Sequence, residues 1–171
     1  MKNSLIKWMV GAGLVLSAGM AGAAENGSVL EMTVSVGRGT GDDPMVVVWL
    51  ETDTGDFVKT IHMFSKDKEY YKDMLAWRFK SRKKEKTSDV DGLSGATIKW
   101  KRKKTIQIPV KADGINLLDG TYILRIESRK WKGKHYRSFK IPLPKGYQGG
   151  THENPGYVKS VDIAIKVAGA K

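Results

Sequence analysis

Apolar and polar residues alternate with period two along much of the chain. "VLEMTVSV" (29–36), "FVKTIHMF" (57–64), "TIQIPV" (105–110), "TYILRIES" (121–128), "HYRSFKIPL" (135–143) and "VKSVDIAIKVA" (158–168) each read as a half-buried strand. "MVVVWLE" (45–51) is instead a continuous β-branched run, the pattern of a central strand. "TDTGD" joins 45–51 to 57–64 as a hairpin, and "RKWKGK" joins 121–128 to 135–143. About seven strands with Gly, Pro and Asp turn signals predict an all-β, immunoglobulin-like antiparallel sandwich.

One segment departs from that period. In "DKEYYKDMLAWRFKSRKK", Tyr70, Met74 and Trp77 recur at helical spacing, with Tyr71, Leu75 and Arg78 beside them. A short helical insertion near 69–80 is expected, with Asp67 capping its start and the Lys/Arg cluster at its negative end. "GRGTG" (37–41) reads as a flexible loop, and "PKGYQGGTHENPG" (144–156) as a Gly/Pro-rich surface loop.

The first residues carry an export pattern. Lys2 and Lys7 form a charged head, 8–20 is apolar, and Ala21-Gly22-Ala23 has the small residues of a cleavage site. The expected organisation is a signal peptide over 1–23, cut after Ala23 or Ala24, and one sandwich domain over 24–171. The apolar run falls short of the roughly 20 residues of a membrane span. The expectation is therefore an exported, periplasmic protein that does not span the membrane.

Charge narrows the partners. The formal net charge is +12, or +10 without Lys2 and Lys7, and it favours anionic partners. Outside the cytoplasm nucleic acid is the least expected of these. "RFKSRKKEK" (78–86), "KWKRKK" (99–104) and "RKWKGKHYR" (129–137) concentrate the excess, with tryptophans interleaved. With no cysteine, disulfide and thiolate chemistry are excluded. The histidines His62, His135 and His152 lack metal-ligand spacing. "GLSGA" (92–96) lacks the strand before and helix after that a nucleophile elbow needs, and "GRGTG" lacks the helix of a dinucleotide site. Nothing points to an enzyme with its own substrate.

"DGLSGAT" (91–97) remains, with the form D-x-x-[ST]-G-A-T, which chance should produce roughly once in a few thousand sequences of this length. It resembles the attachment sequence for covalent FMN in exported redox proteins, such as the flavin-bearing subunits of sodium-pumping NADH:quinone oxidoreductases. There an ApbE-type flavin transferase moves FMN from FAD onto the last threonine as a phosphoester. By position the resemblance implies Thr97 as acceptor, with Asp91, Ser94, Gly95 and Ala96 as the recognised residues around it. Gly95 and Ala96 leave the backbone approachable, and Lys99, Lys101 and Arg102 downstream suit a phosphoester charge. Tyr70, Tyr71 and Trp77 precede the motif on the helix as candidates to lie against the flavin ring, with core burial the expected role for at least Trp77.

A second resemblance spans nearly the whole mature chain. "VVVWLETDTGDFVKTIHMF", an aromatic-rich helix, "VDGLSGAT" and "DGTYILRIES" follow in the order found in a family of uncharacterised periplasmic proteins. That family looks like the immunoglobulin-like domain of flagellar hook-capping proteins, and its genes commonly accompany ApbE-type transferases and PepSY-type membrane electron-transfer proteins. It implies a periplasmic electron carrier, modified by another enzyme. The flavin-bearing subunits have a different fold, so their ring pocket is not carried over. The alternative is a non-catalytic binding module for an acidic protein or envelope partner.

Overall fold

The computed structural model describes residues 27–65, 67–154 and 156–167. The expected signal peptide and the cleavage points at Ala23 and Ala24 lie outside them. Eleven strands are present among these residues: β1 (Ser28–Val36), β2 (Met45–Thr52), β3 (Phe57–Phe64), β4 (Ser94–Gly95), β5 (Lys103–Pro109), β6 (Lys111–Ala112), β7 (Ile115–Asn116), β8 (Tyr122–Arg129), β9 (His135–Leu143), β10 (Gly149–Glu153) and β11 (Val158–Val167). One sheet runs β10-β11-β1-β5 and the other β4-β3-β2-β8-β9, with β6-β7 a separate small ribbon. Pairing is antiparallel throughout except for β4, which lies parallel to β3. The expected all-β sandwich with one short helical insertion is the fold.

The two sheets face each other over one core. Leu30, Met32 and Val34 of β1, Val46, Val48 and Leu50 of β2, Leu124 and Ile126 of β8, and Val161 of β11 are all buried there. The alternate residues of β2 do not reach solvent either. Met45, Val47 and Trp49 are buried on the opposite face, beneath Tyr71, Met74, Trp77 and Val90. A sheet covered on both sides explains the unbroken apolar run of β2.

The cover is the insertion between β3 and β4. It holds a 3₁₀ helix Lys68–Asp73, then α1 (Leu75–Ser81), then a second 3₁₀ helix Thr87–Leu93. The continuous helix expected over 69–80 is thus broken at Met74, whose ψ of 80° is not helical. Asp67 makes no side-chain cap to the 3₁₀ helix that it precedes, and Met74 makes none to α1. The α1 cap comes from β8, where the buried Glu127 carboxylate accepts the N–H groups of Ala76 (3.2 Å) and Trp77 (2.8 Å).

Two loop expectations are corrected. The surface loop 144–156 contains β10, which pairs with β11 at the sheet edge. Residues 37–41 are tied down: Trp100 donates its indole N–H to the Gly41 carbonyl at 3.1 Å, Lys130 reaches the Thr40 carbonyl at 2.6 Å, and Gly37 N–H donates to Tyr157 O at 2.9 Å. Gly39 packs flat on the Trp100 ring, where a Cβ would lie 2.5 Å from ring carbons.

Candidate functional site

The segment 91–97 carries the chain from one side of the second sheet to the other. Before it, Val90 is fully buried in the cluster under the helical cover; after it, Ile98 is fully buried between the sheets. The intervening residues pass around the edge of β3, where Ser94 pairs with Met63 and Gly95 with Phe64. A crossing pinned at both ends by buried apolar side chains holds its short residues in one place. Asp91 stands in the second 3₁₀ helix, and its side chain lies outside the described ones.

Gly95 has a local reason to be glycine. A Cβ there would lie 2.8 Å from Nε2 and 3.2 Å from Cε1 of His62, whose ring packs at 4.4 Å on Phe64. Burial, and then the charge of Lys104, lower the His62 pKa. Ala96 is exposed, and its carbonyl accepts from Lys104 Nζ at 3.1 Å.

Thr97 comes next and lines a cleft of about 410 Å³, within the usual range of small-molecule sites. Four stretches of chain build it. The β1–β2 loop supplies Gly41, Asp42 and Asp43; the end of β3 and the start of the cover supply Ser65, Asp67 and Tyr70; the crossing supplies Thr97 and Lys99; the β8–β9 turn supplies Trp131. Asp43 is fixed by accepting the Trp100 backbone N–H at 3.0 Å. Tyr70 and Trp131 stack obliquely, with centroids 4.7 Å apart and planes at 52°, and Trp131 remains 43 % exposed. The hydroxyl of Tyr70 is held above its usual pKa, first by its hydrogen bond with Glu69 and then by that residue's charge.

The sequence-derived candidates divide. Thr97 and Lys99 share the cleft, and Lys104 takes its place beside Ala96. Lys101 and Arg102 are exposed in the turn before β5 and do not line the cleft. Tyr70 lines it, whereas Tyr71 and Trp77 are buried in the cluster beneath the cover, which removes them as ring contacts. Trp131 was not singled out from the sequence, although an aromatic in a lysine-rich turn between two strands is a signal for an exposed ring. Asp42 and Asp43 carry no signal in the sequence and Asp67 reads there only as a helix cap, because all three meet Thr97 only through the fold.

To a flavin phosphoester the cleft would offer the aromatic pair and the cation of Lys99, whereas Lys104 lies beside Ala96 outside its lining. Asp42, Asp43 and Asp67 work against the phosphate, so the negative wall suits an uncharged part of a ligand better. Among the described residues, no helix is long and apolar enough to cross a membrane, and no group of three or more His, Asp or Glu is placed to hold a metal ion. No curated protein matches the chain. Residues 28–160 match the family described as predicted periplasmic protein (DUF2271), and the chain belongs to that family.

Proposed function

We propose that this periplasmic protein is an electron-transfer flavoprotein that carries FMN covalently on Thr97. The supporting observation is that the threonine picked out by D-x-x-[ST]-G-A-T stands in a cleft of suitable volume, walled by the Tyr70–Trp131 pair. An ApbE-type flavin transferase is the modifying partner. The Thr97 Oγ1–phosphorus bond forms as the pyrophosphate bond of FAD breaks, AMP leaves, and the hydroxyl proton passes to the transferase. Bound FMN supplies one- or two-electron chemistry, which this chain's own side chains do not offer.

The protein's residues then bind and orient. Val90 and Ile98 hold the crossing still, Lys99 offsets phosphate charge, and Tyr70 with Trp131 offers a face for an aromatic ring. The openness of the cleft beside an exposed Trp131 leaves the ring edge within reach of a redox partner, for which a PepSY-type membrane electron-transfer protein is proposed.

Co-expression with an ApbE-type transferase should add the mass of FMN minus water. Thr97→Ala should abolish that addition and shift stability by no more than about 0.5 kcal/mol, as expected of a site outside the core. An unmodified wild-type mass would remove the flavin reading and leave a binding module for an acidic partner.

A further inference from the structure

We infer that the outer side of α1 is a docking face for an anionic phospholipid surface. The helix turns Trp77 and Ser81 inward, where both are buried. Leu75 and Phe79, one turn apart and therefore stacked on one side, are 53 % and 66 % exposed. Arg78 and Arg82, also one turn apart, form the adjoining stripe, and the Arg82 guanidinium lies 5.0 Å over the Phe79 ring.

The same stripe borders a second cleft, to which Lys68, Lys72 and Lys86 also contribute. Its two carboxylates are engaged within the protein. Glu85 accepts from the Thr60 N–H at 2.9 Å and the Thr60 hydroxyl at 2.5 Å, and Glu69 is hydrogen-bonded to Tyr70. Both keep their negative charge, but Lys68, Lys72, Arg78, Arg82 and Lys86 outnumber them, so the outward field of this side is positive.

An apolar stripe beside a guanidinium stripe matches a surface that has phosphates above hydrocarbon. The small footprint, two apolar side chains on one short helix beside cations, is enough to enter a lipid headgroup layer but far below the area of a stable protein interface. Two apolar side chains and a few cations give reversible, salt-sensitive attachment. This inference does not depend on flavin at Thr97.

The test uses processed protein purified from the periplasm, without flavin loading, sedimented with vesicles. Binding is expected to phosphatidylglycerol mixed into phosphatidylcholine, to be absent on phosphatidylcholine alone, and to fade as salt rises. Arg78→Gln and Arg82→Gln should each weaken it about fivefold. Leu75→Ser with Phe79→Ser should weaken it roughly tenfold or more, with an unchanged circular dichroism spectrum because both sites are exposed. Lys159→Gln, an exposed site on β11 in the opposite sheet, should leave it unchanged. Equal losses from Lys159→Gln and Arg82→Gln, or unaltered binding of the Leu75/Phe79 variant, would overturn the assignment. Failure of the wild type to bind phosphatidylglycerol would also overturn it, in favour of an acidic protein as the occupant.

Discussion

The backbone N–H of Trp77 donates to the carboxylate of Glu127 at 2.8 Å, so the first turn of α1 is capped by a strand fifty residues further along. The same carboxylate accepts from Ala76 N–H at 3.2 Å and from His135 Nε2, while remaining fully buried. The insertion is thereby fastened to the sheet that it covers, and with it the start of the crossing that presents Thr97.

Glu127→Ala should accordingly destabilise the protein by about 2–4 kcal/mol, because it leaves buried donors without an acceptor. Glu127→Gln should cost less, since its amide oxygen still accepts one N–H. Urea unfolding followed by tryptophan fluorescence measures both. A change within about 0.5 kcal/mol for the alanine variant would mean that α1 does not rely on this cap.

The strands were legible where one face is buried and the side chains alternate. The ends of 57–64 and 135–143 coincide with β3 and β9. β10 was hidden because "GGTHE" has no apolar face and pairs through its backbone at an edge. Gly149, read as a breaker, sits where a Cβ would come within 2.4 Å of the Ile163 carbonyl oxygen, so its role is close strand approach. The cap on α1 was hidden because its acceptor is distant in sequence. Thr97 was legible as a motif residue, whereas its cleft depends on four segments that only the topology brings together.

Gly95 separates a packing explanation from recognition by a transferase. Gly95→Ala should cost about 1 kcal/mol, because the new methyl meets the His62 ring. His62→Ala combined with Gly95→Ala should remove most of that added cost, measured as a double-mutant cycle in urea. If Gly95→Ala loses flavin addition and the double variant regains it, the glycine serves packing. If stability returns while addition stays lost, the transferase reads the glycine itself.

Trp131 and Tyr70 bear on the ring rather than on attachment. With FMN on Thr97, Trp131→Ala should leave the mass addition intact and raise flavin fluorescence severalfold, since a stacked electron-rich indole quenches a flavin. Stability should change little, because the Trp131 side chain is 43 % exposed. Unchanged fluorescence in both Trp131→Ala and Tyr70→Ala would place the ring outside this cleft.

His62 is expected to make the crossing sensitive to pH. Its ring lies against the position of Gly95 and packs on Phe64, and its pKa is lowered from 6.5 by burial first and by Lys104 second. The folded chain therefore takes up this proton less readily than the unfolded chain does. The linkage has a definite sign: the contribution to stability is fully present above 6.5 and is lost as pH falls from there through the lower folded pKa. A proton on His62 adds a second cation near Lys104 and against the short β4. The protection factors of the Ser94 and Gly95 amides, corrected for the intrinsic slowing of exchange at lower pH, should fall between about pH 7 and pH 5 before those in β2 do. His152, whose pKa burial lowers against the opposing pull of Asp162, adds a slope of the same sign from the other sheet. The decisive comparison is therefore wild type against His62→Gln, in which the pH dependence of the urea midpoint should shrink but not vanish. An identical dependence in both proteins would show that His62 titrates the same way folded and unfolded, and the local loosening would need another cause.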